Sequence, residues 1–162
     1  MKTIAAVLLA LTTSLLAVPV DAQGPPPPYG APITLEQAKK ILAASEAEAK
    51  KNNWNVVISV VDSGGQLVAM SRLDNTQFGS IDVARDKAYS AVAFRRPTKA
   101  FQDAVGQGGE NLRILKLAGA SPLEGGIPII IDGKVVGAVG VSGVTSQQDA
   151  QIARAGIEAL AK

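Results

Sequence analysis

Two apolar runs, residues 127–131 and 134–142, are separated only by Asp132-Gly133. An Asp-Gly pair supplies both positive-φ positions of a type I′ turn, whose twist matches that of paired strands. The spacing predicts a β-hairpin, and with it an antiparallel sheet. The second strand is interrupted by Gly137 and Gly140, with Gly143 just beyond. Glycine within a strand costs stability unless something packs very close to it. A helix is the plainest such neighbour, and a second subunit or a planar ligand the sharper one.

A second hairpin is expected upstream. Residues 56–61 are nearly all β-branched, as in a strand buried on both faces, and Asp62-Ser63-Gly64-Gly65 turns the chain into a strand over 66–72. Thr34 and Gln37 form a capping-box pattern ahead of Ala38, Ile41, Leu42, Ser45 and Ala49 at helical spacing. Ser80 is expected to cap a helix to about Phe94, Thr98 a short one to Val105, and Thr145 or Ser146 a last one through Leu160. Residues 112–117 read as a short strand. Helices laid on sequential hairpins make an α+β domain over residues 34–162.

The segments before that domain differ in kind. Lys2, the uncharged apolar stretch 4–18 and Val20-Asp21-Ala22 read as a signal peptide over residues 1–22. The stretch is shorter than the roughly 20 residues a membrane span needs. Export to a periplasmic or extracellular location, with no membrane span after cleavage, is therefore expected. Residues 23–33, with four consecutive prolines, read as a Pro-rich linker holding the domain away from its surroundings.

The 162-residue chain contains no His and no Cys. That excludes Ser-His-Asp triads, thiol nucleophiles, and His or Cys metal sites, and it leaves enzymatic activity an open question that leans towards none. A net charge of +2 with 4% aromatic residues does not fit a nucleic-acid surface.

Three features have both a chemical and a plain structural reading. Gly125-Gly126-Ile127 is either an anion-accepting backbone concavity or a tight turn into its strand. Arg85 and Lys87 could grip a carboxylate, although Asp82 stands three residues before Arg85 and favours an intrahelical pair. Gly140 and Ser142, on the glycine-spaced strand, would face a ligand held between that strand and the helix of Arg85 and Lys87.

Several stretches together resemble a known family: 60–69 (VVDSGGQLVA), 80–88 (SIDVARDKA) with Phe94 and Pro97-Thr98, 125–129 (GGIPI), Asp132-Gly133, 136–143 (VGAVGVSG) and Gln148-Asp149. They are similar to the GlcG/HbpS-like haem-binding family, which also supplies the C-terminal domain of PduO-type cobalamin adenosyltransferases. The resemblance implies a profilin-like sandwich, a five-stranded antiparallel sheet flanked by helices, assembled into a homo-oligomer. It implies an exported protein that binds haem or a related tetrapyrrole for sensing, buffering or uptake. The alternatives are a binder or enzyme for a small organic acid of the glycolate type, or an oligomeric partner-binding protein without catalysis. The chain departs from members that ligate iron through His. Haem would be held by Met70 or Tyr89, with Tyr29 a further axial candidate, and by Arg85, Lys87, Gly125, Gly126, Ile127, Gly140 and Ser142 around the macrocycle.

Overall fold

Asp132 and Gly133 have φ of 49° and 71°, the pair of left-handed residues that a type I′ connection requires. They join β3 (Gly126–Ile131) to β4 (Lys134–Ser142) in antiparallel register. The computed structural model describes residues 24–161, so the signal-peptide reading of residues 1–22 lies outside the described residues. The upstream hairpin also forms, as β1 (Val57–Asp62) and β2 (Leu67–Arg72). Asp62 Oδ1 accepts the Gly64 and Gln66 amides, each at 2.9 Å, and so closes its turn.

β1 pairs with β4, and the sheet runs β2-β1-β4-β3, antiparallel throughout. It has four strands among the described residues, one fewer than expected. Residues 109–116 form a 3-10 helix instead of the short strand. Gly108 and Gly109, both at positive φ, turn the chain into it. Leu112 and Leu115 lie one three-residue turn apart; both are exposed, and no residue of the segment is buried as a strand face in the core would be.

Helices cover both faces. Alternation along β1 sends Ile58 and Val60 into a core shared with α1 (Leu35–Lys51) and α4 (Ser146–Glu158), including Ile41, Val139, Val141 and Ile152. Val61 and Ala138 face the other way, onto Ala88, Ala91 and Val92 of α2 (Ser80–Ala93). Alternation is thus the reason the continuous apolar run of β1 is buried on both sides. Thr34 and Thr145 each close a capping box, with Gln37 and Gln148 respectively.

Two expected caps are put to other use. Ser80 makes no capping bond; its hydroxyl meets Gln77 and Ser142. Thr98, ahead of α3 (Lys99–Gly106), binds β3, as described below. The Pro-rich arm is not a free spacer along its whole length. The Val135 amide donates to Pro28 O, and Gly30 N–H and Ile33 N–H donate to Val135 O and Val136 O, all at 2.9 Å. Residues 28–33 therefore lie along the β4 backbone just past the end of β1.

Candidate functional site

Arg85, Asp86 and Tyr89 lie three and four positions apart on α2, which puts them on one helix face. That face opens onto a cleft of about 480 Å³ whose other walls are Val61 and Leu67 of the first hairpin, the turn residues Gly65 and Gln66, and Gly119. The volume falls within the roughly 300–1,000 Å³ usual for small-molecule sites. Asp86, Tyr89 and Gly119 also line an adjoining depression of about 400 Å³ with Ala120, Ser121 and Pro122. The two hollows share Asp86, Tyr89 and Gly119.

Tyr89 is held by what its neighbours lack. A Cβ on Gly65 would stand 2.8 Å from one ring carbon, and a Cβ on Gly119 2.6 Å from another. The ring is thus seated between two glycine backbones at positive φ, yet remains 45% exposed. Arg85 Nη1 is 3.9 Å from Asp82 Oδ1, with both side chains more than half exposed. The intrahelical pair is present, but at that length and exposure it restrains the guanidinium little.

Other expected site residues are placed elsewhere. Lys87 is not a ligand clamp: its ammonium is buried and donates to Asp149 Oδ2 at 2.8 Å and to Val141 O at 2.9 Å. Each side chain of the pair is 3% exposed. Burial pushes the Asp149 carboxyl above its ordinary value, against the opposing pull of Lys87 and the Val144 and Gly143 amides. The pair ties α2 to α4 across the C-terminal end of β4.

Gly125 and Gly126 exist for this packing. A Cβ on Gly125, at φ 125°, would lie 2.8 Å from Val141 O and 3.0 Å from Lys87 Nζ. One on Gly126 would run into the Lys87 backbone carbonyl. The Gly126 amide already donates to Thr98 Oγ1 at 2.9 Å, so it is not an open anion donor. The missing side chain of Gly140 is filled by α2, whose Ala84 carbonyl and Ala88 amide press against it. Ser142 is buried, 3.2 Å from Ser80 Oγ. The space expected between the glycine-spaced strand and α2 is therefore packed with the protein's own atoms, and the cleft lies instead between α2 and the β1–β2 hairpin.

Of the axial candidates, Tyr89 alone lines the cleft. Met70 sits across from Ser59 in the β1–β2 ladder. The Tyr29 hydroxyl donates to Val92 O and Ala93 O, both at 3.0 Å, and is thereby committed to the last turn of α2. Gly125, Gly126 and Ile127 border a separate cleft of about 240 Å³ against α4. Val61, Gly65, Gln66, Leu67, Asp86 and Gly119 complete the larger cleft without having been anticipated as site residues. The Gly64-Gly65 pair read only as a turn, and Gly119 carried no signal at all. Among the described residues no cluster of acidic side chains is arranged to hold a bare metal ion, and no helix is long and apolar enough to cross a membrane.

The family model described as haem degrading protein HbpS-like matches residues 33–158. Protein GlcG of Escherichia coli (strain K12) is 42% identical over 110 residues, 68% of this chain and 81% of GlcG. The crystal structure of HbpS superposes with a TM-score of 0.74 at 31% identity, covering 81% of this chain and 92% of HbpS. That of a PduOC:heme complex superposes with a TM-score of 0.73 at 27% identity, covering 80% and 95%.

Proposed function

Because the chain belongs to the HbpS-like family, we propose that it binds haem or a related tetrapyrrole in the cleft beside Tyr89, as an exported protein that senses, buffers or takes up the ligand. The observation that carries this reading is the seating of Tyr89. Two glycines fix an aromatic ring whose phenol is among the side chains able to ligate haem iron, in a chain with neither His nor Cys. Arg85 stands one helical turn away and is weakly engaged, so its guanidinium is available to a propionate through charge-assisted hydrogen bonds. Leu67, half exposed, offers apolar wall to a flat ring system.

The residues present fit the group. Tyr89 would hold the iron, Arg85 a propionate, and the bound haem would supply the redox and ligand-sensing chemistry of its iron. Two further parts of the proposal come from other features. The apolar stretch 4–18 supports export, and exposed Phe78, Leu112, Leu115 and Leu117 give a homo-oligomer apolar surface to bury.

Titration of the protein with hemin tests the reading. A saturable shift of the Soret band is expected, altered in position by Tyr89→Phe. Arg85→Gln should weaken binding by roughly three- to tenfold, the scale of one partly exposed charge-assisted contact, without moving the band. A free-hemin spectrum at stoichiometric protein would end the proposal.

A further inference from the structure

The smaller cleft has a charge arrangement of its own. Its floor is formed by Gly125, Gly126 and Ala150, with Ile127 alongside, and Glu124 and Arg154 border it. Glu124 is only 7% exposed. Its amide donates to Gln102 Oε1 at 2.8 Å, but among the described residues its carboxylate accepts no hydrogen bond and joins no ion pair. Its oxygens are not among the buried unpartnered atoms, so they open to the cleft and a donor on a ligand can reach them.

Lys99 lines the same cleft; the Asp103 hydrogen bond is the largest of the pulls that raise its pKa, and Glu124 contributes only the smallest. Lys99 Nζ is held by both oxygens of Asp103 at 2.7 Å. Arg154 makes no ion pair among the described residues. Beneath the glycines, the Lys87–Asp149 pair is neutral as a unit and favours neither sign of charge. The cleft thus sets an acceptor-only carboxylate and a donor-only guanidinium around apolar surface. A simple anion would face Glu124 and a simple cation would face Arg154. A molecule carrying both charges satisfies both.

We propose that this cleft binds a small zwitterion of the aliphatic amino-acid class, its ammonium on Glu124, its carboxylate on Arg154 and its short apolar body over Gly125 and Gly126. The volume of about 240 Å³ suits a ligand of that size. The site is separate from the cleft of Tyr89, and the two share no lining residue.

Calorimetric titration of the full chain with alanine, proline and valine tests it. Two analogues of valine accompany them: 2-hydroxyisovalerate, in which a hydroxyl replaces the ammonium, and isobutylamine, which lacks the carboxylate. Saturable binding of at least one amino acid is expected, and if valine is that ligand both analogues should bind on the order of tenfold more weakly. Glu124→Gln and Arg154→Gln should each lower amino-acid affinity on the order of tenfold while leaving the hemin titration unchanged. The unchanged hemin response shows that each variant is folded and separates this site from the other. Absence of saturable heat with all three amino acids at millimolar concentration overturns the proposal. So does a hydroxy acid that binds as tightly as valine, or unchanged amino-acid affinity in the two variants. Arg154 lies on the exposed surface of α4, so its variant carries the test should Glu124→Gln fail to fold.

Discussion

Replacing Lys87 by Met separates the two roles this residue could have played. A clamp on a bound ligand would be lost without harm to the fold. The tie between α2 and α4 would not. The side chain is 3% exposed and makes two bonds, 2.8 Å to Asp149 and 2.9 Å to Val141 O. Methionine keeps most of the packed volume but leaves Asp149 with only backbone amides, the Val144 contact being 3.2 Å. Removing one partner of a buried pair costs about 3–5 kcal/mol. For a domain of this size that corresponds to a fall in Tm of roughly 10–15 °C.

The loss should also depend on pH. Asp149 already titrates above its ordinary value because of burial. A carboxyl raised in the folded state keeps a proton that the unfolded chain has released. Its contribution to stability therefore declines as pH rises through the folded value and is fully present below the unfolded one. Without Lys87 the upward shift grows, so Lys87→Met should be more destabilising at neutral pH than in mild acid. Thermal denaturation followed by circular dichroism at several pH values reads both effects. A double variant, Lys87→Met with Asp149→Leu, should recover part of the loss, because an apolar pair leaves no orphaned charge. A Tm within about 2 °C of the parent, less than 1 kcal/mol on this scale, would refute the reasoning, as would strictly additive single-variant effects.

Gly140→Ala places a methyl against the Ala84 carbonyl and about 2.5 Å from the Ala88 amide nitrogen. Because both are helix backbone, α2 must move as a body, and a loss of about 1–3 kcal/mol or more is expected in urea denaturation; an unchanged midpoint would show that the helix is not seated on this glycine. Ser71 donates to Glu46 Oε1 at 2.7 Å, and this hydrogen bond is the main cause holding the Glu46 carboxyl below its ordinary value. That stabilisation is present above the unfolded pKa and is lost as pH falls through the folded one. Ser71→Ala should therefore lower Tm slightly at neutral pH and make the acid limb of the Tm–pH curve shallower; parallel limbs would contradict the assignment.

Local patterns settled the elements. Asp132-Gly133 fixed a hairpin because few residue pairs tolerate two positive φ values in succession. Thr34 marked a helix start because a glutamine three residues later completes its box, whereas the choice between Thr145 and Ser146 fell to Thr145 in the structure, where Gln148 closes a second box. The run 56–61 announced a buried strand through its β-branched side chains. These interactions span a few residues, so the sequence displays them directly. The same logic misjudged residues 112–117, where apolar content without a clear period fits either a strand or a 3-10 turn, and the two glycines before it decided the outcome.

The site depended on contacts between distant segments. That Lys87 meets Asp149, that Thr98 spends its hydroxyl on Gly126, and that Gly65 and Gly119 grip Tyr89 are consequences of how α2 lies on the sheet. No spacing rule links positions 65, 89 and 119. Sequence alone established which residues could carry charge, ligate iron or leave backbone exposed. Only the tertiary packing decided which of them became core and which remained at a cleft, because burial is a property of the assembled layers and not of any one segment.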